Sequence, residues 1–96
     1  MLYAMICNDK PNCTELRAMV RAEHLAYLAS LGDAMKFAGP FLDDAGSPTG
    51  SLVMIEAETR AAAEVIAAHD PYKLAGLFAS VEIRAWRWAL KNPEAM

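Results

Sequence analysis

A chain of 96 residues holds a single domain, residues 1–96, and a 55% hydrophobic share in so small a domain points to burial completed by a second copy. A net charge of -3 with no cluster of basic residues excludes a phosphate-backbone binder, so nucleic acid is not an expected partner. No window reaches the ~20 apolar residues of a membrane span, and the apolar start is too short for a signal-peptide core, so no membrane partner is expected and the cytoplasm is the expected compartment.

Leu2 to Asn8 reads as a strand that is apolar on both sides, with Leu2, Ala4 and Ile6 on one and Tyr3, Met5 and Cys7 on the other. Lys10-Pro11-Asn12 ends it. Asn12 with Glu15 three residues on suits an N-cap and capping box, and a helix from about Cys13 to Leu31 follows, closed by Gly32. Its apolar stripe is Leu16, Val20, Tyr27 and Leu31. Ala34 to Leu42 alternates weakly as a second strand, Asp43 to Gly50 is a concentrated turn signal, and Ser51 to Ala57 completes a hairpin. Thr59 caps a predicted helix over Arg60 to Ala68, and Asp70-Pro71 opens a helical turn to Gly76. The last strand, Ser80 to Trp88, places Val81, Ile83 and Ala85 on one face and Glu82, Arg84, Trp86 and Trp88 on the other.

Strand, helix, strand, strand, helix, strand is the order of an α+β, ferredoxin-like β-α-β-β-α-β fold with a four-stranded antiparallel sheet. Two helices cover one sheet face. Tyr3, Met5, Cys7 and the tryptophans are assigned to the other, which a second sheet would bury, giving a homodimer through sheet faces, a dimeric α+β barrel. Cys7 and Cys13 read as free thiols, since a disulfide across so short a loop stabilises little.

His24 falls on the sheet-facing side of the first helix, where an imidazole needs a hydrogen-bond partner. It reads either as a satisfied core histidine or as a general acid or base working near neutral pH. Asp70 before Pro71 is explained by capping alone, yet a carboxylate there could also orient a histidine. Arg17 and Arg21 share a helical edge, as a solvated face bridged to Glu15 or Glu23 or as guanidinium groups holding a carboxylate or phenolate. Gly39-Pro40 and Gly50-Ser51 fit turn and bulge geometry or space left for a ligand. His69 reads as an exposed helix-end residue. No ligand spacing for a metal and no phosphate-cradling loop is present, so no metal and no cofactor is expected.

Arg17-x-x-x-Arg21-x-x-His24-Leu25, Gly39-Pro40, Gly50-Ser51 and Asp70-Pro71-Tyr72 with Ala75-Gly76-Leu77, in that order, resemble the signature of YCII-related (YciI-like) proteins over nearly the whole chain. The resemblance implies a ferredoxin-like fold that dimerises through its sheets, with a site built on a His-Asp pair, which by position is His24 and Asp70. Arg17, Arg21, Gly39, Pro40, Ser51 and Tyr72 are then the expected substrate-binding residues. The activity implied is cofactor-independent acid-base chemistry on a small, aromatic or anionic substrate, as in a dehydrochlorinase acting on a chlorinated hydroxyhydroquinone. The acidic loop Asp43 to Thr49 would shape the pocket, so the substrate does not carry over. A noncatalytic ligand-binding or regulatory module and a metal-free α+β barrel monooxygenase are the competing readings.

Overall fold

In the computed structural model, which describes residues 1–93, alternation and helical periodicity resolve into four strands and three helices: β1 (Leu2–Asp9), α1 (Thr14–Ser30), β2 (Met35–Leu42), β3 (Pro48–Glu56), α2 (Arg60–Ala68), α3 (Pro71–Leu74) and β4 (Phe78–Trp86). The strands form one sheet in the order β2-β3-β1-β4, antiparallel at every pairing. This is the ferredoxin-like arrangement expected from the element order.

Local chemistry explains most boundaries. Thr59 Oγ1 accepts the Ala62 N–H and starts α2, and Asp70 accepts the Tyr72 N–H and starts α3 with Pro71 at its first position. Gly32, at φ 60, takes the left-handed position that follows α1. The start of α1 differs from the expected capping box. Asn12 itself lies at φ 60, Cys13 is the N-cap, and no side chain caps the helix. The hairpin between β2 and β3 is tighter than its composition suggested. Asp43 Oδ1 accepts the N–H groups of Ala45 and Ser47, so β3 already begins at Pro48.

The core lies between the sheet and the helices, and it corrects the assignment of β1. Tyr3, Met5 and Cys7 pack with Leu28, Val53, Ile55, Ala63, Leu77 and Ile83 beneath the helices, not on the open face. Since β1 is apolar on both sides, its alternation carries no sign, and only the tertiary packing says which side the helices take. The opposite face carries Leu2, Ala4 and Ile6 of β1 with Leu52 and Met54 of β3. Phe37, which pairs with Met54, meets Trp86 and Trp88 edge to face at 6.1 and 5.5 Å between ring centroids. Those three rings arch across the open face, and Met54 and Ala4 in the row below are 2% and 6% exposed.

Gly50 sits where β1 and β3 approach closely. A Cβ built there would collide with the Cys7 carbonyl oxygen, so backbone approach accounts for this glycine, not space for a ligand.

Candidate active site

The site grows from one face of α1. Arg17 and His24 are seven residues apart, two turns of helix, so both project toward the sheet. They are 8% and 6% exposed. The first turn of α3 supplies the group between them. Tyr72 stacks on His24 with ring centroids 4.0 Å apart and an interplanar angle of 17°, and the Arg17 guanidinium carbon lies 4.7 Å from the same ring centroid. Seven residues of helix rise roughly 10.5 Å, so the phenol ring fits as a wedge between the two side chains.

Asp70 touches both His24 and the Tyr72 N–H at once. Its Oδ1 accepts the Tyr72 N–H at 2.9 Å, and its two oxygens lie 2.8 and 3.0 Å from His24 Nδ1. A carboxylate offers only acceptors, so Nδ1 carries a proton, and in the neutral imidazole Nε2 is then the nitrogen with the lone pair. Nε2 has no partner among the described residues, and none of their buried side-chain nitrogen or oxygen atoms goes unpartnered. It therefore opens on the cavity that His24 lines.

Arg17 is not on a solvated edge and bridges neither Glu15 nor Glu23. Its Nε and Nη2 donate to the two oxygens of Asp9 at 2.7 and 3.1 Å, and Nη2 also donates to Ser51 Oγ at 2.8 Å. Burial alone would lower the guanidinium pKa, but the hydrogen bonds and charge of Asp9 outweigh it and raise the value. Asp9 is the residue that sequence reasoning missed. It ends β1 on the side of Tyr3, Met5 and Cys7, so assigning that side to the helices would have placed a carboxylate beside the first helix.

The resulting cavity has a volume of about 380 Å³ between α1 and the β2–β3 hairpin, with Thr14, Arg17, Arg21, His24, Ser51 and Tyr72 as its polar lining. Its remaining walls, including Leu25, Leu28, Ala38, Pro40 and Val53, are apolar. Gly39 and Pro40 border it from the edge strand, and a Cβ at Gly39 would meet nothing within 4 Å. Of the hairpin turn expected to shape the pocket, Pro48 reaches the wall. Arg21 lines the cavity but is exposed, and His69 lies outside it, bonded through Nδ1 to the Val65 carbonyl.

Two further groups feel the site's charges. Burial raises the Tyr72 phenol pKa, with Arg17 and Arg21 pulling it back, so the hydroxyl stays protonated at neutral pH. Cys7 is free, and its thiol is pushed up to about 12, first by burial and then by the carboxylates of Asp70 and Asp9. It is an inert core thiol at neutral pH. Among the described residues no group of three or more His, Cys, Asp or Glu side chains could hold a metal ion, and no helix is long and apolar enough to cross a membrane.

A ferredoxin-like α+β domain with a small-molecule cavity between its first helix and edge hairpin is the class this architecture defines. The model of the YCII-related domain matches residues 1–87, and the chain belongs to that family. Protein YciI of Escherichia coli O6:H1 is 37% identical, with 91% of this chain and 97% of that protein covered. An uncharacterised protein of Haemophilus influenzae matches to the same extent. Among solved structures, 5-chloro-2-hydroxyhydroquinone dehydrochlorinase (TftG) of Burkholderia phenoliruptrix, in complex with 2,5-dihydroxybenzoquinone, is similar with a TM-score of 0.85 and 32% identity, covering 96% of this chain and 99% of that one. An antibiotic biosynthesis monooxygenase shares the fold alone, with a TM-score of 0.56 and 14% identity over 91% of this chain and 99% of that one.

Proposed function

We propose that the chain is a cofactor-independent enzyme in which His24 moves a proton on a small hydroxylated aromatic or anionic molecule held in the cavity. The observation that carries this reading is the buried His24–Asp70 pair with Nε2 turned to the cavity. Nε2 takes a proton from a C–H or O–H of the substrate, and the electron pair left behind moves onto a substrate oxygen. Asp70 stabilises the imidazolium that forms and keeps the ring in place. The proton then returns at another atom, or a leaving group departs with its electron pair. The similar dehydrochlorinase, with a quinone in its complex, supports a hydroxylated six-membered ring as the substrate class. Free Cys7 and Cys13 suit the reducing cytoplasm.

The test is a panel of halogenated and plain hydroxyquinols, phenols and enolisable acids, followed by NMR for product and for exchange of carbon-bound hydrogen with D2O. Wild type should exchange or convert at least one member, and His24→Gln should not. Saturable binding with neither product nor exchange would instead make this a ligand-binding module, the second reading.

The open sheet face is proposed to be covered by a second copy. Leu2, Ile6 and Leu52 are only partly buried there and Phe41 and Trp86 are each 38% exposed, an apolar surface over β1, β2 and β3 that reaches Trp86 of β4 and is bordered by the charged Glu82 and Arg84. Light scattering should give twice the chain mass, and Leu52→Lys should give the monomer; a monomeric wild type would refute the arrangement.

A further inference from the structure

Three side chains of the cavity, each 8% exposed or less, have hydrogen-bonding capacity that no protein group takes up. Arg17 engages Asp9 and Ser51 through Nε and Nη2 alone, which leaves the two N–H donors of Nη1. The Tyr72 hydroxyl makes no hydrogen bond to a described residue, although the ring is 1% exposed and pinned between Arg17 and His24. His24 Nε2 is the third such atom. None of the three is sealed in, because no buried side-chain nitrogen or oxygen among the described residues is left unpartnered. All three residues line the same cavity, so a ligand there can satisfy them together.

Arg17 and Arg21 are the cations beside these atoms. They pull the Tyr72 phenol pKa down against burial and against Asp70 and Asp9, and the Arg17 guanidinium lies over the ring itself. The nearby carboxylates are already engaged, Asp9 by Arg17 and Asp70 by His24. Two donors beside a guanidinium and an acceptor at Nε2 describe a ligand with an anionic oxygen on one side and an acidic hydrogen on the other.

We infer that Tyr72 Oη and Arg17 Nη1 form an oxyanion subsite that takes the ionised oxygen of a phenolate or enolate, opposite the nitrogen that handles the proton. This rests on the cavity's being the ligand site, and it names the chemical class of ligand and the atoms that select it. Tyr72 donates its hydroxyl proton to the oxyanion, while Arg17, fixed by Asp9 and Ser51, supplies permanent charge with no side-chain reorganisation on binding.

Two probes of nearly the same shape test it: 4-nitrophenol, held at a pH where it is ionised, and its neutral methyl ether 4-nitroanisole. Affinities are measured by calorimetry for wild type, Tyr72→Phe and His24→Gln. Wild type should bind the phenolate at least about tenfold more tightly than the ether, the scale of one hydrogen bond to a charged group. Tyr72→Phe keeps the ring and its stacking. It should remove about tenfold of the phenolate affinity and leave the ether unchanged. His24→Gln removes the ring stacked on Tyr72 but should keep a preference for the phenolate, because both oxyanion donors, Tyr72 Oη and Arg17 Nη1, remain. Equal affinity for the two probes in wild type, or an unchanged phenolate affinity in Tyr72→Phe, overturns the subsite while leaving the cavity as a ligand site. Failure of wild type to bind either probe overturns the subsite and the cavity reading together.

Discussion

Exchanging Asp70 for Asn should lower turnover about a hundred- to ten-thousand-fold while the domain still folds. The amide can keep its oxygen toward the Tyr72 N–H and so preserve the start of α3. Its NH2 group then takes the place of Oδ2, 3.0 Å from His24 Nδ1, where the carboxylate now offers a second acceptor. A donor beside Nδ1 weakens the hold on its proton and favours the tautomer with the proton on Nε2, in which the nitrogen turned to the cavity lacks the lone pair that would take the substrate proton. The variant also withdraws the negative charge that stabilises imidazolium. The check is kcat for purified wild type and Asp70→Asn on whichever substrate the panel reveals, beside a thermal melt of each. Activity within about threefold of wild type would leave Asp70 as a helix cap and nothing more.

Asp9→Ala carries the largest expected cost in stability. The Asp9 and Arg17 side chains are 8% and 9% exposed, and removing one partner leaves a guanidinium buried without a counter-charge. Losses of about 3–5 kcal/mol are usual for that change. For a domain of this size the melting temperature should fall by some 12 °C or more, compared at one protein concentration so that self-association does not enter. The double variant Asp9→Leu with Arg17→Met should recover most of the loss, since it removes both desolvated charges and leaves apolar groups of similar bulk. A cost below about 1 kcal/mol for Asp9→Ala would mean that water reaches the pair in solution and screens it.

The element order was legible from punctuation. Thr59, Asp70-Pro71, Gly32 and the Asp43 turn each mark a boundary through chemistry that acts within a few residues. His24 and Asp70 were legible for a different reason, since helical spacing turned one toward the sheet and the motif order paired it with the other. The face of β1 was not. An apolar strand with apolar residues on both sides satisfies either assignment, and the choice between helix cover and open face is made by contacts some twenty or more residues away. That ambiguity also concealed Asp9, and with Asp9 the true partner of Arg17. A guanidinium at position 17 has Glu15 and Glu23 nearby in sequence, yet the buried carboxylate across the fold holds it with better geometry. The wedge of Tyr72 was equally out of reach, because stacking depends on how α3 docks against α1.

The indole rings lie on the side of the sheet turned away from the cavity. Trp86 packs against Phe37 and Trp88, and these are the chain's two tryptophans. Intrinsic emission is thus a built-in reporter of whatever meets the far surface of the sheet, and it is poorly placed to register occupancy beside the imidazole. A dilution series followed by emission would read association between chains, and ligand titrations call for a signal that originates in the ligand itself.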